Sequence, residues 1–348
     1  MKIAENNFIS KSPLLYKFAV KQNAKKNWDS LAGAVVDKRT PAYQPLLFLL
    51  PALIILTIFT IIPFIFNIFS SIFVVRNGKN VFSLEVYSNI FNDPAFAVGF
   101  RNSLMFGIIV LPLKMALSLL IASCIATLVR AKAKGFWQTV FFLPYVTNIV
   151  AVSLTFIQFF SPNGIFNKIV GLGEVNYLTN TGIEAQSSFL PLVVMLAQGV
   201  WSGLAFNILI FTTAMLVVDK NLYRSASVDG VNGVKQFFSI TLPSIKSTTT
   251  LLITLSIIGG IKIFPLALFE NNTENAIQSG GSTIMLYVYK QTNSGDLPKA
   301  SASAISLFLI GVIYSVVVRG GFKAISRASA NIGEYNVWMK IKKTTKEI

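Results

Sequence analysis

The chain has 348 residues, 53% of them hydrophobic and only 13% charged, with a mean hydropathy of +0.63. Soluble domains usually carry about 25% charged residues, so this composition excludes an ordinary soluble domain and a disordered chain alike. The absence of His and the single Cys exclude imidazole acid–base chemistry, His or thiolate-cluster metal sites and an intrachain disulfide.

The N-terminal segment 1–45 carries eight Lys and Arg. It does not read as a signal peptide, because the first apolar core starts only at residue 46 and no small-residue cleavage site follows a short apolar core. Within it, 13–36 mixes Leu14, Leu15, Phe18 and Val20 with Lys17, Lys21, Lys25 and Lys26. That mixture fits either an interfacial helix on an anionic leaflet or a solvated tail. Six apolar runs follow, each near the roughly 20 residues a membrane helix needs: 46–75, 103–128, 136–160, 190–218, 248–269 and 300–318. The first is long enough to tilt or to pass beyond the bilayer. Prolines 51, 63, 112, 144 and 265 fall inside runs, which membrane helices tolerate when neighbours satisfy the freed carbonyls. Cys124 lies in the second run and reads as a small packing residue. Gly199 and Gly203 form a GxxxG in the fourth, and Gly259-Gly260 sit in the fifth; small residues let helices approach closely.

The +16 formal net charge is not gathered on one basic face, so it predicts topology and not nucleic-acid binding. The N-terminal segment, 129–135, 219–247 and the tail 319–348 together hold 22 Lys and Arg, and the three alternate loops hold six. By the positive-inside rule both termini are cytoplasmic. The remaining two cations, Lys114 and Lys262, lie inside runs that contain no Asp or Glu. A Lys near the bilayer centre costs roughly 2.5–3.5 kcal/mol, so each asks for a partner: an anionic substrate group, a carboxylate of another subunit, or snorkelling to the interface. Asn148, Gln158, Gln198 and Asn207 fit either pathway lining or helix–helix hydrogen bonds.

The cytoplasmic loop 219–247 is richer than a connector. It carries apolar positions Val228, Val231, Val234, Phe237, Phe238, Ile240 and Leu242, and Val231, Val234 and Phe238 share one helical face. Asp229-Gly230 signals a turn between two short helices, and Pro243 is expected to end the element. An amphipathic helix held below the membrane by a turn is a docking surface for another protein.

With Tyr223, Ala226, Asp229, Gly230, Phe237, Ile240, Leu242 and Pro243 at matching spacing, this loop resembles the coupling loop of permease subunits in binding-protein-dependent ABC importers, of the maltose and glycerol-3-phosphate type. Phe48-Leu-Leu-Pro-Ala-Leu-Ile, Arg101-Asn-Ser-Leu, Phe141-Phe-Leu-Pro-Tyr145, Ser161-Pro-Asn-Gly-Ile-Phe-Asn167 and Gly280-Gly-Ser-Thr283 extend the resemblance over about residues 42–325. One departure is clear: Arg224 stands where the family has Glu, and Ser225 follows where it has Ala.

The resemblance implies an all-α integral membrane fold of six transmembrane helices, the type I ABC importer permease fold, with a permease domain over 46–318. It implies a second permease subunit, two copies of a cytoplasmic ATPase subunit and an extracellular substrate-binding protein. It places the chain in the cell membrane and makes it a transport subunit for a carbohydrate-type solute, not an enzyme. The sequence holds no GxxxxGK[ST] phosphate loop, so ATP and Mg belong on the partner ATPase and this chain is expected to bind no cofactor. Trp201-Ser202-Gly203-Leu-Ala-Phe206 and Gly259-Gly-Ile-Lys262-Ile-Phe264 resemble stretches that line the sugar pocket, although those pockets use neutral side chains where Lys262 stands. The competing class, an ATP-independent secondary transporter or channel, is disfavoured by the lack of Asp and Glu in the runs and of an inverted repeat of broken helices.

Overall fold

The computed structural model describes residues 43–346, apart from 77–78, 128–130, 172 and 180–184. The stretch 13–36 and its interfacial-helix reading lie outside the described residues. The chain divides into two units at Ile65/Phe66.

The first unit contains α1 (Tyr43–Leu56), one π-helical turn (Thr57–Ile61) and the start of α2 (Ile62–Ile72). Pro63 explains the wide turn. A proline ring clashes with the carbonyl four residues back and offers no N–H. The helix responds by bonding the Ile62 N–H to the Thr57 carbonyl, a π-type step, and continues unbroken.

In the second unit, α2 ends at Ile72, three residues short of the predicted run. Phe73–Arg76 (β1) pairs antiparallel with Lys79–Phe82 (β2), Phe73 opposite Phe82 and Val74 opposite Val81. Aromatic and β-branched residues prefer the pleated conformation once the apolar run no longer needs a helix. A short α3 (Glu85–Phe91) leads to α4 (Pro94–Thr127), which begins nine residues before the predicted second run. Pro at its first position and the Asp93 carboxylate, which accepts the Ala95 N–H at 2.9 Å, set that start.

The third run is not one straight helix. It is α5 (Ala131–Val146) and α6 (Ile149–Phe159), bent by 91°. The break sits at Thr147-Asn148, not at Pro144: the Asn148 side chain accepts the Val150 N–H at 2.8 Å and starts a new helix. After α7 (Ile165–Val170) and a single 3-10 turn (Ala185–Ser187) comes α8 (Leu190–Val217), as predicted.

The loop then folds as α9 (Lys220–Val228), α10 (Gly233–Gln236), a second π-helical turn (Phe237–Thr241) and α11 (Leu242–Ser244). The π turn again precedes a proline, with the Leu242 N–H bonded to the Phe237 carbonyl. Pro243 therefore does not end the element, and the bend of 73° comes where α12 (Lys246–Gly260) begins.

The fifth run departs most. Its helix stops at Gly260; Ile261–Pro265 is irregular, and one 3-10 turn (Leu266–Phe269) follows. Lys262 thus lies inside the predicted run but outside its helix. Then come α13 (Thr273–Gln278), α14 (Ile284–Asn293) and α15 (Leu297–Lys346), a single helix of 50 residues that runs through the basic tail.

Among the described residues four helices are long and apolar enough to cross a membrane, and six spans result if each bent pair counts as one. α4 and α8 pack along Gly199 and Gly203. A Cβ at Gly199 would lie 2.4 Å from the Phe106 ring, and one at Gly203 would lie 2.9 Å from Cδ of Lys114. The Gln198 amide donates to Ser153 Oγ at 2.7 Å, joining α8 to α6, and Asn207 reaches Met115 Sδ at 3.9 Å. These polar residues join helices. Cys124 is exposed on α4 and so is not a packing residue of this chain's core.

Candidate functional site

The coupling-type loop is built by local bonding. Asp219 caps α9 by accepting the Asn221 N–H at 2.9 Å, and Asn232 caps α10 by accepting the Lys235 N–H at 2.9 Å. Between them α9 closes in a Schellman arrangement: Val231 N–H to Ala226 carbonyl at 2.9 Å and Gly230 N–H to Ser227 carbonyl at 3.1 Å. That closure needs a left-handed residue, and Gly230 has φ +71°. The Ala226, Asp229 and Gly230 spacing is therefore the spacing of a helix stop. Side chains then brace the two arms. The Tyr223 hydroxyl lies 2.8 Å from Thr241 Oγ1, and the Gln236 amide donates to Ser227 Oγ at 3.1 Å and to the Val231 carbonyl at 2.8 Å.

This bracing turns Tyr223 and Ala226 inward, half-buried, together with Phe237, Ile240 and Leu242. Arg224, Asp229 and Pro243 are exposed. So are large apolar side chains: Val228 at 88%, Val234 at 70% and Phe238 at 62% exposure. Val231 is half-buried and does not share the open face of Val234 and Phe238. An exposed apolar surface on a rigid, capped bracket is left open to contact with another surface.

A second constellation joins motifs that the sequence kept apart. Asn102, fully buried on α4, donates to the Gly280 and Ser282 carbonyls, both at 2.8 Å. Its own carbonyl accepts from Arg101 Nε at 3.2 Å and Nη2 at 3.1 Å. Arg101 also donates to the Ser187 and Ser188 carbonyls, and its guanidinium stands 3.9 Å from the centre of the Phe189 ring. Ser282 donates to the Ala95 carbonyl at 2.7 Å, and Ser103 accepts the Ile284 N–H at 3.1 Å. Nearby, the Tyr287 hydroxyl donates to Asp93 at 2.7 Å. Burial, and then that bond, push the Tyr287 phenol well above the ordinary tyrosine range.

The residues expected to line the pathway fall into two groups. Trp201, half-exposed, lines a cavity of about 740 Å³ with Val140, Phe141, Pro144, Phe156 and Ile208. Phe206 stacks on Tyr145 at 5.7 Å, a residue the sequence offered inside the Phe141–Tyr145 motif but without a role. Gly203 faces the Lys114 stem, and Ser202 is half-buried. Lys262 and Phe264 do not line that cavity. Phe264 meets Tyr289 edge-on at 5.3 Å, and Lys262 is exposed on the irregular segment. That segment is pinned by Thr283 Oγ1, which donates to the Ile263 carbonyl at 3.0 Å. Among the described residues no group of His, Cys, Asp and Glu is placed to hold a metal.

Residues 114–328 match the family described as binding-protein-dependent transport system inner membrane component. A probable ABC transporter permease protein of Mycoplasma genitalium is 41% identical over 318 residues, covering 89% of this chain and 94% of that protein. The arabinooligosaccharides transport system permease protein of Halalkalibacterium halodurans is 31% identical over 248 residues, 68% of this chain and 75% of that protein. A solved bacterial ABC transporter involved in the import of the acidic polysaccharide alginate shares the fold at a TM-score of 0.65 and 21% identity, covering 88% of this chain and 99% of that one. With four helices long and apolar enough to cross a membrane among the described residues, a braced loop exposing an apolar surface and these matches, the chain belongs to the binding-protein-dependent transport family as a membrane-spanning permease subunit of an ABC importer.

Proposed function

We propose that this permease carries a carbohydrate-type solute bearing an anionic group, such as a glycerol-phosphate-like ester or an acidic sugar, and that Lys262 meets that group. The observation that carries this reading is the place of Lys262, exposed on the non-helical backbone that follows the fifth-span helix after Gly260. Irregular backbone at membrane depth is tolerated only where protein buries it or a wet cavity borders it. A Lys there is a point charge facing that space. The bond from Thr283 to Ile263 holds the backbone beside it. Trp201, Phe206 and Phe264 supply aromatic surface along the path in this reading, and Ser202 and Gly203 its small residues. The transport system of the arabinooligosaccharide relative supports the carbohydrate class.

The chain works beside a second permease subunit, an extracellular substrate-binding protein and two cytoplasmic ATPase subunits that hold ATP and Mg. Both termini, including 1–45 and 319–348, face the cytoplasm. The loop 219–247 seats in the ATPase, through the surface presented around Asp229-Gly230, and moves with it. Spans 46–318 then alternate between outward and inward openings.

The test is ATP hydrolysis by the complex in lipid, with its binding protein and a panel of neutral sugars and phosphate esters. Stimulation by an anionic member, lost in Lys262→Ala and kept in Lys262→Arg, is expected. Stimulation by neutral sugars alone would remove the counter-ion role of Lys262. A well-folded permease that retains no ATPase would overturn the coupled reading.

A further inference from the structure

The docking surface has a charge pattern that specifies its partner. Lys220, Arg224 and Val228 stand at i, i+4 and i+8 on α9 and form one row. All three are exposed. The neighbouring row, Tyr223 and Ser227, is tied to Thr241 and Gln236, which fixes the orientation of α9 and turns the Lys220–Arg224–Val228 row outward. The row therefore presents two cations followed by the most exposed apolar side chain of the loop.

Nothing within the described chain neutralises those cations. Neither Lys220 nor Arg224 has an ion-pair partner among the described residues. The two acids of the loop are placed elsewhere: Asp219 caps the helix start through the Asn221 N–H, and Asp229 follows the helix at its C-terminal end. Like charges four residues apart repel, and Lys220 stands at the positive end of the helix dipole. Lys235, exposed on α10, adds a third cation to the same loop. A short helix that keeps this arrangement on an otherwise apolar docking surface is matched to a surface of opposite sign.

We propose that the ATPase groove receiving this loop is apolar with a carboxylate facing Arg224 and Lys220. The charge relation would then be reversed from the family pattern, in which the permease supplies the acid at the Arg224 position. This inference rests on the loop being the ATPase docking site, and the test separates the two.

Full-length tagged permease is co-expressed with its cognate ATPase chain and reconstituted in nanodiscs, and the ATPase retained is measured against salt. Arg224→Glu is expected to lower retention at least about tenfold at low salt, Lys220→Glu to add to the loss, and Arg224→Lys to keep most of it. The difference is expected to shrink toward about 1 M salt, as screening requires. A Glu or Asp to Lys change in the ATPase groove is expected to restore assembly with Arg224→Glu. Val228→Asp and Phe238→Asp test the docking site itself. If these two lose the ATPase while Arg224→Glu keeps or gains it, the docking site stands and the facing carboxylate is overturned. If Val228→Asp and Phe238→Asp also keep it, the docking reading fails. If Arg224→Glu acts only in discs containing phosphatidylglycerol and not in pure phosphatidylcholine, the row reads lipid headgroups and the inference is overturned.

Discussion

At the scale of single residues, Asn102 does the most with the fewest atoms. Its amide satisfies two backbone carbonyls in a place without solvent and is itself satisfied by Arg101. Removing one partner of a buried polar pair costs about 1–3 kcal/mol for each group orphaned. Asn102→Ala should therefore lower stability by several kcal/mol, read as a fall in the unfolding midpoint of the reconstituted protein. Tyr287 gives a prediction with a pH sign. Its phenol titrates above the ordinary tyrosine range because burial and the Asp93 bond favour the neutral form. The stabilisation is present below the unfolded value of about 10 and is lost as pH rises beyond it. Tyr287→Phe should cost about 1–3 kcal/mol at neutral pH and flatten the alkaline decline between about pH 9.5 and 11. An unfolding series over that range checks both. The Arg101-Asn-Ser and Gly280-Gly-Ser-Thr motifs were legible as motifs and not as partners. No local pattern links positions 178 residues apart; only the folded chain shows that one motif's amide fits the other's carbonyls.

Elements were legible where one local rule dominates. The loop's turn followed from Asp229-Gly230 because a helix stop with a left-handed residue is a local structure. The close packing at Gly199 and Gly203 followed from residue size. Gly199→Ala places a methyl 2.4 Å from the Phe106 ring, so α4 and α8 must separate or the ring must turn. A loss of about 1–3 kcal/mol is expected, as for other overpacked cores. Phe106→Leu in the same chain should recover part of it, measured as a double-mutant cycle. Other boundaries depended on competing signals. Phe73-Val74-Val75 is apolar enough to extend a span, yet the sequence Asn77-Gly78 after it is a strong hairpin signal that hydropathy counting ignores. The fifth span looked continuous because Ile261, Ile263 and Phe264 are apolar. Gly259-Gly260 weakens the helix there, and Pro265 holds the residue before it out of helical geometry. Both π turns precede a proline; the helix continues past Pro63 to Ile72, but past Pro243 only to Ser244.

For the whole molecule, counting apolar runs found six spans because the bilayer sets one length for all of them. It could not find that the third is sharply bent, since a bend of 91° at Thr147-Asn148 needs only one capping side chain, nor that the fifth loses its helix after Gly260. The long-range bonds of the second unit also set an order of events. Asn102 waits for Gly280 and Ser282, Asp93 for Tyr287, Gly107 for Tyr314, and Asn67 for Ser301. Synthesis at about 5–20 residues per second puts roughly ten to fifty seconds between the emergence of the first partners and the last. Through that interval the second span is already made, yet its buried amide has nothing to bond. The seal between the two motifs is thus a late stitch of biogenesis, and a chain cut short before residue 280 leaves that amide permanently open.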